Sequence, residues 1–226
     1  MTAPMVSRLI PKVPRNAALL VALLMLIVLS PVLPDEHSWF IVELMFGLIL
    51  LAGLHSVGGL RRRWVFAALT VITLGVRWGE RLADVQGMDI TALGLTALWL
   101  FFAVAIIIKH LFLHKEVEVD TILGAIVTYL LAAVAFALVF EILEILQPDS
   151  FSGIANTAMA DQSELANTML YYSFVCITTM GFGDIVPVGP LARPLSVIEG
   201  VFGQLYLAVM IARLVGLHIS RDTTTT

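Results

Sequence analysis

The seven residues Thr178-Thr179-Met180-Gly181-Phe182-Gly183-Asp184 decide how the rest of the chain is read. They lie between two long apolar runs, directly after a short amphipathic segment at 165–177. Gly181 and Gly183 occupy alternate positions. Such spacing permits a backbone that switches between left- and right-handed dihedrals, which an L side chain resists by about 1–2 kcal/mol per residue. In that backbone successive carbonyls point the same way. Rings of carbonyl oxygens can replace the water around a dehydrated cation in a narrow pore. The carbonyls of Thr179, Met180, Gly181 and Phe182 would form those rings, and Thr179 adds a hydroxyl oxygen at the inner mouth. A ring needs several copies, and the chain has one such stretch, so this reading demands an oligomer. The plainer reading is a glycine turn between two membrane helices. A lone G-x-G would not decide between them. The two threonines before it, the Asp after it and the helix on each side favour the oxygen cage.

The stretch resembles the selectivity filter of potassium channels, usually written T-T-V-G-Y-G-D. Roughly the last hundred residues resemble the two-helix pore module of that family, with outer helix, pore helix, filter and inner helix. The resemblance implies an all-α membrane protein assembled as a homotetramer. It implies potassium bound at Thr179, Met180, Gly181 and Phe182, with Gly183 completing the filter. Thr178, Tyr171, Tyr172 and Asp184 are the residues expected to support it. Tyr171 and Tyr172 fall where family members carry an aromatic cuff, although tyrosines also suit a membrane interface. Two residues depart from the family pattern: Met180 replaces Val and Phe182 replaces Tyr. Backbone carbonyls bind the ion, so potassium selectivity is expected to survive. Phe182 lacks the hydroxyl that ties the filter to its cuff, so a softer filter is expected. Val175 stands where some members carry an acid behind the filter, so that tie to Asp184 is absent. The permeant ion K+ is expected, and no cofactor.

Composition sets the class independently. Of 226 residues, 59% are hydrophobic and only 13% charged, and mean hydropathy is +0.97. Such a chain is a polytopic membrane protein rather than a soluble domain. The net charge of -4 says little about orientation, which depends on where Lys and Arg sit. One cysteine, Cys176, excludes an intrachain disulfide framework. Arg8, Lys12 and Arg15 precede an apolar run that ends in Ser30-Pro31-Val32-Leu33-Pro34 without a small-x-small cleavage pattern. A retained anchor is therefore expected rather than a cleaved signal.

A membrane-spanning helix needs about 20 mostly apolar residues. Six segments qualify, at about 17–33, 38–54, 64–78, 90–112, 121–146 and 194–218, with the re-entrant pore helix at 165–177. The expected division is an N-terminal four-helix transmembrane domain at 1–112, a linker at 113–120, a pore domain at 121–218 and a short tail at 219–226. With both termini in the cytoplasm, ten of the 13 Lys and Arg fall inside; only Arg77, Arg81 and Arg193 fall outside. That distribution obeys the positive-inside rule. It places the filter loop on the outer half of the membrane. A prokaryotic plasma membrane is the expected location.

The front four helices resemble the sensor domain of six-helix channels, but the fourth lacks arginine, and its Lys109 is near the inner end. A gating helix moves Arg or Lys through the field, at about 2.3 kcal/mol per charge per 100 mV. Conventional voltage gating is therefore not expected. On the sixth helix Gly203 is displaced from the filter much as the family's hinge glycine is, with close helix packing as the alternative. Four acids fall within apolar segments: Glu43, Glu141, Glu144 and Glu199. Such groups face the protein interior or water, because a carboxylate at mid-bilayer costs about 2.5–3.5 kcal/mol. Glu199 is expected either to hydrogen-bond behind the pore helix or to pair with Glu141 or Glu144. Too few residues follow the sixth helix for an attached nucleotide- or calcium-binding module, so gating is expected from the filter, lipid, tension, pH or a separate regulatory subunit. Nothing points to nucleic acid or to an enzyme: there is no nucleotide loop, metal cluster or nucleophile triad. The expected function is a passive potassium-selective channel. Its rivals are a weakly selective cation channel and a non-conducting, channel-like auxiliary or signalling protein.

Overall fold

The computed structural model describes residues 15–29, 88–113, 119–155 and 162–222, with scattered helical residues between 67 and 79. The second expected segment, with Glu43, lies outside the described residues, as do residues 114–118 of the linker. In chain order the elements are α1 (Arg15–Leu29), α2 (Met88–Leu113), α3 (Val119–Leu146), β1 (Phe151–Ser152), α4 (Gln162–Ile177), β2 (Val186–Pro187) and α5 (Ala192–Asp222). Among the described residues, three helices are long and apolar enough to cross a membrane: Ile90–Leu113, Val119–Leu146 and Ala192–Leu217. At 1.5 Å per residue the shortest reaches about 36 Å, enough for a hydrocarbon core of about 30 Å. The described part of α1 is 15 residues long and ends at Leu29, short of the expected 33.

Each described helix starts two or three residues before its expected position, and for two of them the local reason is plain. α4 begins at Gln162 rather than 165, because its polar first turn carries Glu164, and an acidic group suits the positive end of a helix dipole. α5 begins at Ala192 rather than at Pro194. A proline is tolerated in a first turn, where its missing N–H has no intrahelical partner anyway. α5 also continues to Asp222, so part of the expected tail at 219–226 is helical.

α3 is the central post. It packs against α1, α2, α4 and α5. Its apolar residues run all round the helix, as a helix surrounded by protein requires. The small side chains Ala132, Ala133, Ala135 and Ala137 are buried along it and let neighbours approach closely. Its first turn is tied to α1: the Asn16 backbone N–H donates to Asp120 Oδ1 at 3.0 Å, and Asn16 Nδ2 donates to the Asp120 carbonyl at 2.9 Å. The main core joins Leu19, Leu23 and Leu26 of α1 to Trp99 and Leu100 of α2 and Leu131 of α3. Trp99 is 1% exposed and its ring N–H donates to Thr70 Oγ1 at 3.1 Å, so the buried indole is satisfied. A second, aromatic core gathers Phe136 and Phe140 of α3, Phe151 of β1 and Tyr172 of α4. Phe140 and Phe151 both meet the Tyr172 ring edge-on, at 5.2 and 5.0 Å. At the other end Arg213 of α5 donates to the Leu111 carbonyl and lies 4.9 Å from the Phe112 ring centre. A guanidinium at the C-terminal end of α2 is favoured by that helix's dipole.

Candidate functional site

Helix α4, with single side chains of α3 and α5, determines where 178–184 runs. At the end of α4 the Thr178 hydroxyl donates back to the Phe174 carbonyl at 2.5 Å. The Tyr129 hydroxyl of α3 donates to the Ile177 carbonyl at 2.8 Å, one of the acceptors a helix terminus leaves unpaired. The next amides then turn back on α4. Thr179 N–H donates to the Cys176 carbonyl at 2.9 Å, and Met180 and Gly181 N–H both donate to the Val175 carbonyl, at 3.0 and 3.4 Å. In a planar trans peptide the N–H and the preceding C=O point in opposite directions. The carbonyls of Thr178, Thr179 and Met180 therefore point away from the pore helix.

The dihedrals carry the same pattern. Thr179, Gly181 and Gly183 have φ of 58°, 58° and 81°, while Met180 and Phe182 between them keep negative φ. The alternation expected at the two glycines begins two residues earlier, at a β-branched threonine. Positive φ in a β-branched residue is rare and strained, at about 1–3 kcal/mol, and such strain persists only where surroundings impose it. Here Thr179 is held from both sides: its N–H by α4, and its hydroxyl by the Gln204 side chain of α5, whose Nε2 donates at 2.9 Å. Nothing in the sequence spacing of Gln204 points to Thr179.

Beyond Gly183 the chain is fastened to the segment that follows α3. β1 pairs antiparallel with β2, Phe151 opposite Pro187 and Ser152 opposite Val186. Val188 and Gly189 N–H both donate to the Ser150 carbonyl. Gly153, at φ 95°, has no room for a side chain, because a Cβ would run into the Asp184 carbonyl oxygen. Glu144 secures this segment in turn, accepting the Asp149 N–H at 2.9 Å and the Phe151 N–H at 3.1 Å. Glu144 and Glu141 are 1% and 3% exposed, so both lie inside the protein. Glu144 is thus bound to the loop, and Glu199 takes the other expected course, behind the pore helix, in contact with Ser173.

The two tyrosines separate. Tyr171 faces the mouth: its hydroxyl donates to Asp184 Oδ2 at 2.7 Å and its ring stacks on Phe182 at 6.4 Å and 12°. That hydrogen bond holds the Asp184 carboxyl below the usual carboxylate range. Tyr172 packs within its own chain. One residue further round a helix is a turn of about 100°, which carries it into the aromatic core, where its hydroxyl meets Ser196 Oγ at 2.7 Å. Gly203 is buried against the end of the pore helix, and a Cβ there would collide with the Ile177 carbonyl oxygen and side chain. α5 is continuously helical through it.

Residues 94–218, which take in α3, the pore helix, the 178–184 stretch and most of α5, match the family model described as "Ion channel". The chain belongs to this ion-channel family, of the two-helix potassium-channel type. It is a family of channels and not of enzymes. The channel chain is also similar to Protein LctB of Bacillus caldotenax, at 27% identity over 100 residues, covering 44% of this chain and 74% of that protein. No solved structure matches it significantly.

Proposed function

We propose that this channel chain is one of four identical subunits of a passive, potassium-selective pore that is not conventionally voltage-gated. Membership of the channel family supports the pore, and the geometry of residues 178–183 supports the ion. One observation carries the reading: the φ alternation from Thr179 to Gly183, with the amides of Thr179, Met180 and Gly181 committed to α4 and the carbonyls turned away. Carbonyl oxygens aimed in one direction suit an ion that has lost its water. They need copies to close a ring. Met180 and Phe182 are 62% and 65% exposed in a single chain, and α5 exposes Val197, Ile198, Val201 and Leu205. That surface suits contact with further copies of the chain and with lipid. Thr179, Met180, Gly181 and Phe182 would bind K+, Gly183 would complete the filter, and Thr178, Tyr171 and Asp184 would brace it.

The weakly selective alternative also has an observation behind it. Phe182 reaches its tyrosine neighbour by stacking and not by a hydroxyl bond. A ring stack contributes about 0.5–1.5 kcal/mol and fixes distance less tightly than a hydrogen bond. Counting the chains in the detergent-solubilised particle and following ion flux in reconstituted vesicles tests the proposal. Four chains with potassium flux that sodium does not match are expected. Dimeric particles without flux would overturn it.

A further inference from the structure

Behind the filter, three helices meet at one hydroxyl. Ser173 of α4 is fully buried. Its Oγ lies 2.6 Å from the Ala133 carbonyl oxygen of α3 and also contacts Glu199 Oε1 of α5. A serine hydroxyl has one proton. A carbonyl can only accept, so that proton goes to Ala133. The contact between Ser173 and Glu199 then needs a proton of its own, and only the carboxyl can supply it. A second observation agrees. Glu199 is 0% exposed, and its Oε2 is buried without a hydrogen-bond partner among the described residues. An ionised carboxylate would leave a charged oxygen unpaired in an apolar wall, whereas the carbonyl oxygen of a neutral acid loses far less there.

Among the described residues the surroundings offer no counter-charge. The titratable groups that face Glu199 are Tyr129 of α3 and Tyr172 and Cys176 of α4, none of which is a cation in any protonation state. Arg193 and Arg213, on the same helix, bond to the carbonyls of Pro187 and Leu111.

We propose that Glu199 is a neutral carboxylic acid whose proton joins the inner helix to the pore helix, making it a positioning residue for the filter. Its proton bonds Ser173, and the Ser173 proton bonds α3, so one relay links α5, α4 and α3. Ser173 lies about one turn before Ile177, the last residue of α4. Loss of the proton leaves the single Ser173 proton to serve two acceptors, Ala133 and Glu199, and puts a charge against the back of the pore helix. One arm of the relay opens, and the filter loses part of its support. An alkaline pH therefore closes the pore, a consequence that rests on the conducting reading above.

Two measurements on the full-length protein in lipid test this. Difference infrared spectroscopy at neutral pH should show a carboxylic acid C=O band that disappears in Glu199→Gln. No such loss would overturn the proposal, whether or not the protein conducts. In planar bilayers the wild-type potassium current should be lost reversibly as pH is raised. Glu199→Gln, whose amide still donates to Ser173, should keep its current across the same range. A Glu199→Gln channel with the wild-type alkaline loss, or a wild-type current flat with pH, would overturn the coupling.

Discussion

Thr179 shows what a single residue can reveal and conceal. Its place before G-x-G was legible in the sequence, and so was its hydroxyl. Its positive φ was not, because a threonine adopts that region only when neighbours force it, and Gln204 lies 25 residues further along the chain. Tyr171 and Tyr172 were similarly legible as a pair and not as individuals, since adjacent residues on a helix face different neighbours. Asp184 makes a pH prediction at this scale. The Tyr171 hydroxyl lowers its folded pKa, so the stability it lends the mouth is present above the ordinary carboxylate value of about 4 and lost as pH falls through the lowered folded value. Neutral and mildly acidic solutions should leave the mouth intact. Tyr171→Phe removes the depressing bond, so the loss should move up toward the ordinary Asp value. Carbon NMR of the Asp184 carboxyl checks this, and a titration unmoved by the substitution would contradict it. Phe182→Tyr should restore a hydroxyl beside the stacked ring and slow inactivation or raise the potassium-to-sodium permeability ratio. Recordings indistinguishable from wild type would show that the stack already holds the filter.

At the scale of elements, helices α2 to α5 were legible because long apolar runs and a polar first turn carry their own signals. Their contacts were less so. Gly203 was readable as hinge or as packing, and only the position of α4 displays the close approach to Ile177. Gly203→Ala should therefore force α5 and α4 apart, costing about 1–3 kcal/mol as overpacked cores do. Gly200→Ala, where the nearest atom is the Cys176 carbonyl oxygen at 3.8 Å, should be tolerated. Thermal unfolding in detergent separates the two. Equal effects would show that the close approach does not matter. Glu144 belongs to the same scale. An acid in an apolar run signals that it has a buried partner, but not that the partners are the Asp149 and Phe151 amides of the next loop.

For the whole molecule, the central position of α3 explains why the pore module and the helices before it share one core. α2 and α3 pack together, and α1 packs on α3, its Leu19, Leu23 and Leu26 joining the same core. The helix α2 carries Lys109 and His110 only near its C-terminal end, with no arginine along its length. Opening should accordingly depend weakly on voltage, and a steep conductance–voltage curve would contradict the reading of this helix. One filter stretch per chain called for an oligomer, while the count of four came only from the family resemblance; the single chain leaves Met180 and Phe182 exposed. The decisive measurement is the reversal potential of the purified protein in a planar bilayer, with potassium on one side and sodium on the other. A reversal near the potassium equilibrium value is the expected result. A clear current reversing near zero would contradict potassium selectivity and make this a weakly selective cation channel.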